Sequence, residues 1–169
     1  MKVREGSIFS VSPMLKKEGI VGLLARYYGK NMYFHCGCFF FQHPDLATRI
    51  DPELLRDLVP IKICQCTDTG FQDGSWSILM EIEEWDKKRS DWRMPSFKYI
   101  DSLNPQMAYI RTYDDITNSE FEQVVVRADQ AQGYSDDGLE GFRSTEFKLN
   151  EIVADAKDLA YRNDWRPRK

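Results

Sequence analysis

Two long apolar runs, Gly19–Tyr28 and Met32–Gln42, stand either side of Gly29-Lys30-Asn31. Glycine and asparagine tolerate the positive φ that tight hairpin turns require, so the pair reads as an antiparallel hairpin. A chain that opens this way must bury a wide sheet. Ser7–Val11 is a further short apolar run, and Ile61–Thr67, Phe97–Ile100, Met107–Tyr113 and Phe121–Ala128 are strand candidates. After an Asp73-Gly74 turn, Trp76, Ile78, Met80 and Ile82 alternate with Ser77, Leu79, Glu81 and Glu83, the pattern of a strand with one face in the core.

Helical signals are fewer. Asp51 is a candidate N-cap with Pro52 at the first helical position, where its missing N–H costs nothing; Pro60 ends that helix. From Asn150 onward, Ile152, Val153, Ala156, Leu159 and Ala160 form an amphipathic stripe, predicting a second helix over Asn150–Tyr161 and a polar tail over 162–169. Gln130–Gly138 reads as a flexible acidic loop and Asp86–Asp91 as a charged one. The 169 residues contain no internal repeat or linker, and a chain of this length buries roughly 70% of its unfolded surface. The expected fold is therefore a single α+β domain over residues 1–169: a mainly antiparallel, curved sheet or partial barrel with two helices.

Charge is distributed unevenly. Between Asp114 and Glu140 eight carboxylates face a single Arg127, a net −7, whereas the whole chain carries −4. Such a segment attracts a cationic partner and repels nucleic acid and anionic membrane. The expected partner-binding residues are accordingly Asp114, Asp115, Glu120, Glu122, Asp136, Asp137 and Glu140, with the aromatic faces around Tyr27, Tyr33 and Trp92 as the second candidate surface. As exposed loop charges, Asp114 and Asp137 are expected to tolerate replacement by lysine together without loss of the fold. No stretch reaches the ~18 apolar residues of a membrane span and no export signal is visible, which predicts a cytoplasmic protein.

Catalytic signals are weak throughout. Neither Gly-rich phosphate-loop pattern occurs, and nothing places His35 or His43 beside a nucleophile and an orienting carboxylate. Adjacent carboxylates such as Asp114-Asp115 point opposite ways in a strand and converge on one ion only through a turn. The four cysteines form two Cys-x-Cys pairs, Cys36/Cys38 and Cys64/Cys66, whose members share a strand face. Neighbouring strands can bring four thiolates together around zinc, or pair them as a redox disulfide. Yet Cys36 and Cys38 share their face with Met32, Phe34 and Phe40, where free cysteine sits as a small core residue. The expectation is reduced, metal-free thiols and no cofactor. The aromatic clusters Tyr27-Tyr28, Tyr33-Phe34 and Phe39-Phe40-Phe41 have few interleaved cations, and Lys87-Lys88-Arg89 with Arg93 is a small basic patch mixed with Asp86 and Asp91, so nucleic-acid binding is disfavoured.

The succession of these segments resembles a known family. Gly6-Ser7-Ile8-Phe9, Gly22-Leu23-Leu24-Ala25-Arg26 and Phe39-Phe40-Phe41 come first. The helix Asp51–Leu58, the strand at Ile61–Ile63, Gly74-Ser75-Trp76, Pro95-Ser96-Phe97, Tyr113-Asp114-Asp115 and Gly138-Leu139-Glu140 then follow in order. Together, from Val3 to Leu149, they are similar to the bacterial immunity protein 26 family. The resemblance implies a non-catalytic protein of a polymorphic toxin system, which binds a cognate toxin and neutralises it by direct contact. The Cys-x-Cys pairs, Asp129–Asp137 and the C-terminal helix with its tail lie outside that pattern. The alternatives are a small metal-binding Cys-x-Cys enzyme and a nucleic-acid-binding module.

Overall fold

The computed structural model describes residues 2–28, 35–87, 92–115 and 117–155. The two long apolar runs become β2 (Ile20–Tyr27) and β3 (His35–Gln42), paired antiparallel from Ile20↔Gln42 to Tyr27↔Cys36. The turn assigned to Gly29-Lys30-Asn31 falls outside the described residues, as do Met32, Tyr33 and Phe34. β1 (Ser7–Ser10) flanks β2, and β4 (Lys62–Thr67) flanks β3, both antiparallel. β5 (Ser77–Glu81) closes one side against β1, and the two-residue β9 (Leu139–Glu140) pairs parallel with β4 on the other. The resulting six-stranded sheet runs β5-β1-β2-β3-β4-β9 and does not close into a barrel.

Both faces of this sheet are buried, which is why β2 and β3 read as unbroken apolar runs rather than alternating ones. On one face Ile8, Val21, Leu23, Phe39, Phe41 and Ile63 pack with Leu46, Leu55, Trp92, Met94 and Phe97. On the other, Phe9, Ile20, Leu24, Phe40 and the four cysteines pack with Leu15, Trp76 and Leu149. Gly22 is required by the second layer, since a Cβ there would stand 2.2 Å from the Phe9 ring. Gly19 enters β2 at φ +72°, and its Cβ would meet the His43 carbonyl oxygen at 2.1 Å.

Two bulges redirect side chains. Between Leu24 and Arg26 the β2–β3 register slips, so Leu24 lies opposite Cys38 and Arg26 opposite Gly37, with Ala25 as the extra residue. In β5, Ile8 pairs with Met80 and Phe9 with Ile78, leaving Leu79 as the extra residue. Ile78 and Met80 therefore enter opposite core layers, which corrects the expectation that Trp76, Ile78, Met80 and Ile82 share one face.

Four α-helices occur among the described residues, not the two expected: α1 (Pro13–Lys17), α2 (Pro52–Asp57), α3 (Thr69–Gln72) and α4 (Phe142–Asp155). α1 and α3 are single turns, too short to carry a 3.6-residue period. Ser12 caps α1, its Oγ accepting from Leu15 N–H at 3.1 Å, and Asp51 caps α2 as expected, accepting from Glu53 N–H at 3.0 Å. α4 begins at Phe142, eight residues before the expected start at Asn150. Its buried side continues back from Leu149 through Thr145 and Glu146, polar residues that hide the period. The part of the expected helix beyond Asp155 lies outside the described residues.

A second sheet, β6 (Phe97–Ile100), β7 (Met107–Tyr113) and β8 (Phe121–Arg127), is antiparallel throughout. Phe97 is part of the first core layer and Tyr113 packs against it, so the two sheets form one small α+β domain. The segment read as a flexible acidic loop is structured instead. Ala128–Ala131 forms a 3-10 helix with Ala131 buried, and Asp136 bridges to Lys98 beside β6. None of the helices formed by the described residues is long and apolar enough to cross a membrane.

Candidate interaction surface

The seven carboxylates singled out from the sequence divide into two groups. Asp115, Asp137 and Glu140 are turned inward and matched by cations. Asp115 receives Arg26 Nη2 at 2.6 Å on its carboxylate, Arg26 Nε at 3.1 Å on its backbone oxygen, and the Met94 N–H at 3.0 Å. Asp137 accepts from Arg111 at 2.8 Å and from the Tyr113 hydroxyl at 2.9 Å. Glu140 lies between Lys62 at 2.9 Å and Lys148 at 2.8 Å and also accepts from Thr145. Burial alone would lift the Glu140 carboxyl, yet Lys62 and Lys148 outweigh it and hold the group below the usual carboxylate range. These three residues tie β2, β4, β7, β9 and α4 together, with their carboxylates already engaged inside the fold.

Asp114, Glu120, Glu122 and Asp136 face solvent. Asp114 accepts from the Thr117 hydroxyl within its own turn, and Asp136 stands 3.5 Å from Lys98. The expected tolerance of Asp137 to lysine is thereby corrected: its side chain is 6% exposed and already satisfied by Arg111. Asp137→Ala should lose about 2 kcal/mol, because a hydrogen-bonded charge pair is broken and a partly buried guanidinium is stranded. Urea unfolding checks this, and a loss within experimental error of zero would mean that water replaces the carboxylate.

The second sheet carries a surface that the charge pattern did not reveal. Register places Tyr99, Tyr109 and Val125 in one row across β6–β8, with Phe97, Arg111 and Gln123 in the next on the same face. The Arg111 guanidinium stacks over Tyr99 at 4.4 Å and over Phe121 at 4.9 Å. Asp137 fixes it from below, while Nε is buried without a hydrogen-bond partner. Tyr99, Phe121 and Val125 are exposed and Tyr109 half-buried. Strand-by-strand reading assigns these residues to strands correctly, but only cross-strand register shows that an arginine and four apolar side chains share a solvent-facing surface.

The residues of the second candidate surface are used differently. Trp92 is buried against Phe39 and Phe41, Tyr27 donates to Asp68 at 3.0 Å, and Tyr33 lies outside the described residues. Phe39, Phe40 and Phe41 are fully buried and present no ring to a base. Lys87 contacts Glu5 at 3.5 Å, and residues 88–91 of the basic stretch lie outside the described residues.

The cysteines do meet. Cys36 pairs across strands with Cys66 and Cys38 with Cys64, and the Cys38 and Cys66 sulfurs are 3.6 Å apart. All four are free thiols, buried beside Phe40 and Leu149. Burial pushes Cys38 well up; the hydrogen bond to Cys66, and then burial, do the same to Cys64. Cys66, hydrogen-bonded to Cys38 and Cys64, is lowered by those bonds. Among the described residues no group of three or more His, Cys, Asp and Glu side chains is arranged to hold a metal ion. His43 accepts from Asp45 N–H at 3.2 Å as the cap of the 3-10 helix Pro44–Ala47, a structural use of the imidazole.

The chain matches no protein-family model, no curated protein and no solved structure.

Proposed function

We propose that this chain is a bacterial immunity protein of a polymorphic toxin system, which binds a cognate toxin and neutralises it by direct contact, without catalysis. One observation carries the reading: the solvent-facing Tyr99–Tyr109–Arg111–Phe121 surface, on a sheet whose other face carries the exposed carboxylate of Glu122. Aromatic residues and arginine are the types that dominate binding energy at interface centres, and the exposed carboxylates Glu120, Glu122 and Asp136 on the same sheet and its flank steer a basic partner toward this end of the molecule. The order of segments shared with the immunity protein 26 family supports the same reading.

The toxin partner carries a basic surface and is met in the cytoplasm of the producing cell. Nucleic acid and anionic membrane are poor partners for the same carboxylates. The reading needs no cofactor.

The test is association with the toxin encoded beside this chain. Glu120→Lys combined with Asp136→Lys should leave the fold intact, because both side chains are exposed. The double variant should slow association about tenfold at low ionic strength, with the difference shrinking as salt is added. Unchanged association and unchanged protection of cells would reduce these exposed acids to a solubility feature.

A further inference from the structure

The second sheet protects one of its edges and leaves the other open. At β6 the chain covers its own edge: Lys98 N–H donates to the Ser135 carbonyl at 2.8 Å, and Asp137 N–H donates to the Lys98 carbonyl at 2.6 Å. β8 has no such cover among the described residues. Glu120 and Ala128 make backbone bonds toward β7, with Asp114 and Gln106 respectively, which sets the phase of the strand. Even-numbered residues bond inward, and the backbone N–H and C=O groups of Phe121, Gln123 and Val125 point outward. The strand has no proline, lysine or bulge over its seven residues, and its charges, Glu122 and Arg127, stand away from its centre. Its centre is apolar and open, with Val124 62% and Val125 53% exposed.

We propose that this edge pairs with the β8 edge of a second copy of the chain, antiparallel about a two-fold axis at Val124, making one continuous six-stranded sheet from two three-stranded ones. The hydrogen-bonding phase fits, because pairing about Val124 sets Gln123 opposite Val125 of the other copy, both with outward backbone groups, and the ladder ends toward Arg127, whose N–H is taken by Gln130. The charges fit as well. Glu120 and Glu122 stand at one end of the strand and Arg127 at the other, so the antiparallel arrangement brings unlike ends together and holds the glutamates of the two copies apart. The Arg127 side chain is paired with Asp129, an exposed contact worth little, and its backbone N–H donates to Gln130 Oε1 at 3.1 Å. At the axis, the two Val124 side chains meet in a non-hydrogen-bonded pair, the closer kind. This pairing lies in the plane of the sheet, so it leaves the Tyr99–Tyr109–Arg111 surface open on both copies and stands or falls independently of the toxin-binding reading.

Sedimentation velocity on the full chain, from low micromolar to roughly 100 μM, should show a reversible dimer. Val124→Lys places two cations at the axis and should weaken the dimer by about a hundredfold, with circular dichroism unchanged at so exposed a position. Mixing Val124→Lys with Val124→Glu should restore a dimer containing one of each. Hydrogen exchange should show the Phe121, Gln123 and Val125 amides protected in the wild-type dimer and exposed in Val124→Lys. A wild-type chain that stays monomeric across the range overturns the proposal, as does a dimer that Val124→Lys leaves unchanged.

Discussion

Replacing Asp115 with alanine is expected to remove about 3–5 kcal/mol of stability, one of the two largest effects available in this fold. Arg26 is 1% exposed, and the bulge in β2 aims it into the junction between the two sheets. There it donates to Asp115, to its own neighbour Ala25 at 2.7 Å and to the Lys87 carbonyl at 3.2 Å. Without the carboxylate a full charge remains buried with only carbonyl dipoles around it. Removing the charge as well, in Arg26→Met with Asp115→Ala, should recover much of the loss, because a buried ion pair replaced by apolar atoms of similar volume is close to neutral. Urea midpoints at unchanged slope measure both. If the single variant lay within about 1 kcal/mol of wild type, solvent would have to reach Arg26, and the junction would be wetter than its packing implies.

Trp76→Ala should cost a similar ~3–5 kcal/mol through a different mechanism, loss of a large ring from a filled layer. Trp76 stacks on Phe9 at 5.1 Å and meets Phe71, Phe40 and Phe142 edge-on between 5.3 and 6.3 Å. Its Nε1–H also donates to Glu146 at 3.0 Å, joining the loop before β5 to α4. Trp76→Phe keeps most of the ring contacts but not that donor, and Arg143 still reaches Glu146 at 3.2 Å. The milder variant should therefore cost about 1–2 kcal/mol. Equal losses in the two variants would place the energy in the hydrogen bond and not in the packing.

The functional reading depends on a difference between carboxylates that composition treats as equal. Asp115, Asp137 and Glu140 stand in the same acidic stretch as Glu120, Glu122 and Asp136, yet the first three hold strands and α4 in place and the others meet solvent. A sequence lists the anions but not their partners: Arg26 is 89 residues from Asp115, and Lys62 is 78 from Glu140. Tyr99, Arg111 and Phe121 were likewise readable as strand residues. Their stacking follows from register across three strands, which no local pattern encodes.

What the sequence determined by itself was every segment whose information is local. The β2–β3 hairpin strands follow from two apolar runs, α2 from Asp51 and Pro52, and the strands of the second sheet from short apolar segments separated by turn residues. These signals survive because capping, backbone propensity and period act over a few residues. Only the tertiary structure decided the rest. The central sheet became a layer buried on both faces because two helical and loop layers fold over it. Bulges reversed the facing of Ile78 and Met80, and α4 extended eight residues upstream because Glu146 found Trp76. In each case the deciding term is a contact between residues far apart in the chain, whose energy exists only once the fold has brought them together.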